Sequence, residues 1–124
     1  MARNLLISCV FALTTLVSPG LAEPFKLVMI EQVGCHWCAQ WDADIAGAYP
    51  KTDEGKAAPL ERVMIRDLPM DELQTAARVI YTPTFLLVRD GVELGRIEGY
   101  PGEDFFWGLL ARMIDENSSE APQG

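Results

Sequence analysis

The sequence predicts a single α/β domain with the element order β-α-β-α-β-β-α. Three observations carry this reading. Short runs rich in β-forming residues alternate with stretches whose apolar residues recur every three or four positions. An Asp90-Gly91 pair between two strand-like runs marks a tight hairpin. The 124 residues leave room for one compact core and little more.

Residues 1–22 stand apart from that fold. Arg3 gives a short positive start. Leu5 to Val17 is an apolar run interrupted only by Ser8, Thr14 and Thr15. Gly20-Leu21-Ala22 then places small residues at the −3 and −1 positions of a cleavage site. The run is shorter than the ~20 residues a membrane-spanning helix needs. Cys9 follows Leu6-Ile7-Ser8 in the manner of a lipoprotein signal, but the apolar run continues past it. The expectation is a secretory signal peptide ending at Ala22 and a periplasmic mature chain, in a compartment where disulfides persist. Losing residues 1–22 removes Arg3 and Cys9. That takes the net charge from −8 to −9 and leaves two cysteines, Cys35 and Cys38.

The elements follow in order. Phe25 to Val33 reads as a buried strand. Cys38, Trp41, Ile45 and Tyr49 share one helical face, and Pro50 ends that helix. Lys51 to Pro59 reads as a polar loop and Arg62 to Arg66 as a second strand. Pro69 suits the first turn of a second helix, with Asp71 and Glu72 matched to the helix dipole. Its apolar stripe would be Leu73, Ala76, Ala77 and Ile80. Thr84 to Arg89 is a third strand, and Val92, Leu94 and Ile97 mark the return strand. Pro101-Gly102-Glu103-Asp104 opens a last helix, with Phe106, Leu109, Leu110, Met113 and Ile114 on one face. The expected domain is 23–116, and 117–124, lacking large apolar residues, reads as a flexible tail.

Composition narrows the function. An acidic chain without a basic patch does not suit nucleic acid or anionic lipid. A single histidine leaves no multi-histidine metal site, so neither metal nor cofactor is expected. Nothing in the sequence requires more than a monomer.

The chemistry is at Cys35-His36-Trp37-Cys38. Sulfurs at i and i+3 across a helix start lie on one face and can close a disulfide. Chance would place two cysteines at this spacing in about 2% of arrangements. The pair falls where the first strand hands over to the first helix, and free N–H groups there favour a thiolate. Cys35, nearest the helix start, is the expected nucleophile. Cys38, one turn in, resolves the mixed disulfide. His36 either favours the thiolate as imidazolium or is a solvent-exposed spacer. Trp37 either shields the pair, meets a partner, or has no role. A structural disulfide, a zinc site and a two-thiolate copper site are weaker readings of the same pair.

With these residues in place the chain resembles the thioredoxin superfamily over most of residues 25–116. The Cys-x-x-Cys pair and Thr82-Pro83-Thr84-Phe85 carry the resemblance, and the Asp90-Gly91 hairpin and Gly99 also match. The resemblance implies the thioredoxin fold, a central mixed four-stranded sheet with helices on both faces. It implies a cis Pro83 beside the disulfide, with Thr82, Pro83 and Gly99 forming the substrate groove. More narrowly, the sequence is similar to the SoxS-type periplasmic thioredoxins of sulfur-oxidation (Sox) systems. The shared features are the signal peptide, Val33-Gly34, Tyr49-Pro50-Lys51-Thr52 and the Gly55–Pro59 loop. That likeness implies a dithiol reductase acting on a protein disulfide or persulfide, such as the pathway's sulfur carrier. Its reductant would be a membrane thiol-transfer protein of the DsbD/CcdA kind.

The chain departs from ordinary thioredoxins at three places. Gly34 replaces an aromatic, His36-Trp37 replaces Gly-Pro, and Met29 stands where a buried acid is usual. Glu31, two residues further on the same strand face, either accepts the Cys38 proton or is exposed at the strand end. His36 keeps a rival function open, a disulfide oxidase or isomerase, and the two soft thiolates leave another, a non-enzymatic copper-delivery module, although no histidine follows His36.

Overall fold

A computed structural model describes residues 24–118. The expected signal peptide and residues 119–124 of the expected tail lie outside the described residues. The elements are β1 (Lys26–Glu31), α1 (His36–Trp41), α2 (Asp53–Ala57), β2 (Leu60–Met64), β3 (Thr84–Arg89), β4 (Val92–Glu98) and α3 (Glu103–Ser118).

The four strands form one mixed sheet in the order β2-β1-β3-β4. β2 runs parallel to β1, while β3 is antiparallel to both β1 and β4. β3 and its hairpin lie where the sequence places them. Asp90 (φ 53°) and Gly91 (φ 74°) both take the left-handed conformation that a two-residue hairpin turn requires. β2 begins two residues before the expected Arg62, because its register with β1 starts at Leu27 opposite Leu60.

The first helix is less regular than its periodicity suggests. α1 passes into a π-helical turn over Asp42–Ala46, and Pro50 lies inside a 3-10 turn, Tyr49–Lys51. Cys38, Trp41, Ile45 and Tyr49 all remain buried, so the apolar face survives the change of pitch. The expected loop at Lys51–Pro59 contains α2, too short for periodicity to reveal. Thr52 caps it, Oγ1 accepting from the Gly55 N–H at 3.0 Å. A Cβ on Gly55 would overlap the Tyr49 carbonyl oxygen, so glycine alone fits.

The helix expected over Pro69–Ile80 does not form. Leu68–Pro69 is a cis bond, and residues 70–80 run as an irregular strap. One bond closes a turn within the strap, the Leu73 N–H donating to the Met70 carbonyl (3.2 Å), whereas Gln74, Ala76 and Ala77 bond to partners distant in sequence. The Gln74 N–H donates to the Gly91 carbonyl (2.7 Å), and the Glu93 N–H donates to the Gln74 carbonyl (2.9 Å). The Ala76 N–H donates to Glu93 Oε2 (2.6 Å), and Arg96 Nη2 donates to the Ala77 carbonyl (2.8 Å). Of the expected stripe, Ala76, Ala77 and Ile80 are exposed, and Val79 is the buried residue instead.

Among the described residues the α-helices lie on one sheet face, and the other carries a 3-10 turn, Ile65–Asp67, and the strap. On the α-helical face Leu27, Met29, Phe85, Leu87 and Ile97 meet Trp41, Ile45, Phe106 and Leu110. On the other, Val28, Ile30, Val63, Leu86 and Val88 are covered by Ile65 and Leu68 and by the strap residues Met70, Leu73 and Val79. Val92 and Leu94 are half-exposed, and only Ile97 of the expected β4 set is buried. α3 buries Phe106, Leu110 and Met113, whereas Leu109 is exposed. It runs through Asn117 and Ser118, which the sequence assigned to the tail. The Arg89 guanidinium holds that end by donating to the Asn117 carbonyl at 3.2 Å.

Candidate active site

A tight turn delivers the chain from β1 to α1. The Cys35 N–H donates to the Gln32 carbonyl at 3.3 Å, and Gly34 takes a positive φ of 77°. Cys35 is the N-cap of α1, in extended conformation, and its Sγ accepts the Cys38 N–H at 3.1 Å. A sulfur that accepts a helix-start N–H is better stabilised as thiolate than as thiol. Cys35 and Cys38 are joined as a disulfide, with Cα atoms 5.3 Å apart. Cys35 is part-exposed, whereas Cys38 is 6% exposed. The two sulfurs thus differ in access.

The intervening pair points outward. His36 and Trp37 meet edge to face, ring centroids 4.9 Å apart, and Trp37 is 55% exposed. Trp41, by contrast, has no exposed surface and packs on Phe85 and Phe106.

Thr82–Pro83 is a cis bond, as the family resemblance implies. The loop around it is pinned at three points. The Thr84 hydroxyl donates to the Tyr81 carbonyl (2.6 Å), and the Gly99 N–H donates to the Pro83 carbonyl (2.7 Å). Gln32 Nε2 donates to Thr82 Oγ1 (2.8 Å). Thr82, Pro83, Gly99 and the Cys35 turn are thereby joined in one hydrogen-bonded assembly. Val33, Ile80 and Tyr81 on its two loops, and Trp37 in the first turn of α1, are apolar and all more than half exposed.

Glu31 is the last residue of β1 and is half-buried. Its carboxylate accepts from Arg62 Nη1 at 2.8 Å. The other terminal nitrogen of Arg62 engages Asp42, in the π turn, and the guanidinium lies 5.7 Å from the Trp41 ring centroid. The hydrogen bond to Asp42, opposed by burial and aided by Glu31, pushes the Arg62 pKa further up. Met29 is fully buried, so an apolar side chain holds the place usual for the acid. Gln32, Arg62, Tyr81 and the Tyr100–Asp44 pair were missed in the sequence. No short-range pattern marks them, since their partners are set by sheet register and loop packing.

A Cys-x-x-Cys disulfide at a strand-to-helix turn, with a cis-proline loop tied to that turn, defines the class: a thiol–disulfide oxidoreductase. No family model and no curated protein matches the sequence. Solved structures do. The chain is 55% identical to the periplasmic thioredoxin SoxS from Paracoccus pantotrophus, with a TM-score of 0.72, covering 75% of this chain and 98% of that one. At 23% identity, Fasciola hepatica thioredoxin shares the fold, with a TM-score of 0.54 over 74% of this chain and 83% of its own. Thioredoxin-2 of the malaria parasite does so at 15% identity, with a TM-score of 0.53 over 77% and 89%. The chain belongs to the thioredoxin superfamily, and within it resembles SoxS.

Proposed function

We propose that this protein is a periplasmic dithiol reductase that keeps a partner protein's cysteine reduced, the partner being the carrier of a sulfur-oxidation system. The observation that carries this is the 55% identity to a periplasmic thioredoxin SoxS across 98% of that protein's length. The reading includes a signal peptide over residues 1–22, removed on export, and a monomeric mature chain. Among the described residues no helix is long and apolar enough to cross a membrane.

The Cys35 thiolate attacks one sulfur of the partner's disulfide. A Cys35–partner disulfide forms, and the partner's second sulfur leaves as thiolate. With a persulfide partner the leaving group is hydrosulfide. Cys38 then gives its proton to solvent water and attacks the Cys35 sulfur as thiolate. The partner cysteine leaves as thiolate, and the Cys35–Cys38 disulfide remains. The two electrons gained by the partner come from the pair. A membrane dithiol protein of the DsbD/CcdA kind returns them. Thr82 and Pro83 offer backbone to the partner's extended segment, as in strand addition, and Gly99 anchors that loop through Pro83. His36 and Trp37 tune the pair and meet the partner.

A Cys38→Ser variant produced in the periplasm is expected to accumulate a mixed disulfide between Cys35 and the carrier. Absence of any adduct, with Cys35 still reactive, would overturn the reading. The imidazole between the cysteines favours a second reading, disulfide oxidation of secreted proteins. The potential of the pair separates the two: a value near about −270 mV fits a reductase and one near about −120 mV a strong oxidant.

A further inference from the structure

We infer that Gln32 is a positioning residue: it holds the nucleophile's turn and the substrate-docking loop at a fixed spacing. The inference rests on the exchange mechanism just proposed. Gln32 is bonded in two directions. Its main-chain carbonyl accepts the Cys35 N–H at 3.3 Å, and its side-chain amide donates to Thr82 Oγ1 at 2.8 Å, across 50 residues of sequence. The other two pins of the cis-proline loop have a different reach. Thr84 ties Tyr81 to the start of β3, and Gly99 ties Pro83 to the end of β4. Among the pins described, only Gln32 runs to the loop that bears Cys35.

In-line attack requires the Cys35 sulfur to meet a disulfide already docked along Thr82, and misplacement by about 1 Å is costly. Both partners of the latch lie outside the regular ladder, since β1 ends at Glu31 and β3 begins at Thr84. The antiparallel register of β1 and β3, whose last pair is Ile30 with Thr84, brings Gln32 opposite Thr82, and the latch fixes the spacing beyond that last ladder pair. Gln32 itself is exposed, so replacing it leaves no buried gap.

The test uses the mature protein and insulin as a disulfide probe, with Gln32→Ala, Thr82→Val, Thr82→Ser and the Gln32→Ala/Thr82→Val double variant. Removing one net hydrogen bond predicts a rise in KM for insulin of about three- to ten-fold in Gln32→Ala and in Thr82→Val. Thr82→Ser keeps the hydroxyl that accepts from Gln32 and is expected to raise KM less than Thr82→Val does. The double variant is expected to be no worse than the poorer single. Additive effects of the two singles would overturn the latch, as would an unchanged KM in Gln32→Ala. A wild-type protein that reduces no disulfide would instead overturn the exchange mechanism, so the two failures are distinguishable.

Discussion

Tyr100 donates its hydroxyl to Asp44 Oδ2 at 2.9 Å, fastening the chain just beyond β4 to the π turn that follows α1. Asp44 lies six positions after Cys38, and Tyr100 directly follows Gly99, which holds Pro83. The bond therefore links the back of the dithiol helix to the base of the cis-proline loop.

That bond and its counterpart at Tyr49 predict alkaline lability. Burial, then the Asp44 hydrogen bond, then the charges of Asp44 and Glu103 hold the Tyr100 hydroxyl well above its usual range. Burial, then Glu54, does the same for Tyr49, whose hydroxyl donates to the Ala58 carbonyl at 2.6 Å. A folded-state pKa above the unfolded value of about 10 contributes stability that is complete below that pH and falls as the pH climbs toward the folded value. Stability should therefore decline above about pH 10. Tyr100→Phe should reduce the slope of that decline, read by urea unfolding at several pH values. An unchanged slope would count against the assignment.

Unequal access to the two sulfurs predicts ordered alkylation. After reduction, limiting iodoacetamide near neutral pH should label Cys35 ahead of Cys38, as read by peptide mass mapping. The cause is both exposure and thiolate stabilisation by the helix-start N–H. Labelling of Cys38 first would reverse the roles assigned to the pair.

Arg62 organises two carboxylates and faces an aromatic ring. Arg62→Ala should destabilise the oxidised protein by about 1–2 kcal/mol, since it loses ion pairs and a cation–π contact that are partly exposed. Glu31→Gln should cost about 0.5 kcal/mol, because solvent screens the remaining charge. Denaturant midpoints measure both. A cost for Glu31→Gln as large as that for Arg62→Ala would show that the carboxylate has a role beyond this pairing.

Arg96 and Glu93 hold the strap. Their side chains are 15% and 3% exposed, and Arg96 Nη2 donates to Glu93 Oε2 at 2.8 Å. Arg96→Met removes the donor to the Ala77 carbonyl and leaves the Glu93 carboxylate buried beside an apolar chain. Faster hydrogen exchange at the Gln74 and Ala76 amides, and earlier tryptic cleavage after Arg78, are expected. Unaltered exchange at both amides would assign the strap's order to its apolar contacts alone.

The parts of this protein legible in its sequence are those governed by neighbours along the chain. The Cys35–Cys38 pair, the Asp90-Gly91 turn and β3 each depend on spacing or backbone preference within a few residues, so local chemistry was sufficient. The strap over residues 70–80 was not legible. Its composition suits a helix, yet Gly91, Glu93 and Arg96 offer its backbone better-placed partners, and tertiary bonds outweigh propensity. The same reason hid Gln32 and Arg62. Their partners, Thr82, Glu31 and Asp42, become neighbours only once β1, β2 and β3 take their places in the sheet. Sequence alone located the cysteine pair and the strand-to-helix turn that carries it. Folding decided what surrounds the pair, because contacts between distant segments exist only after the sheet has brought those segments together.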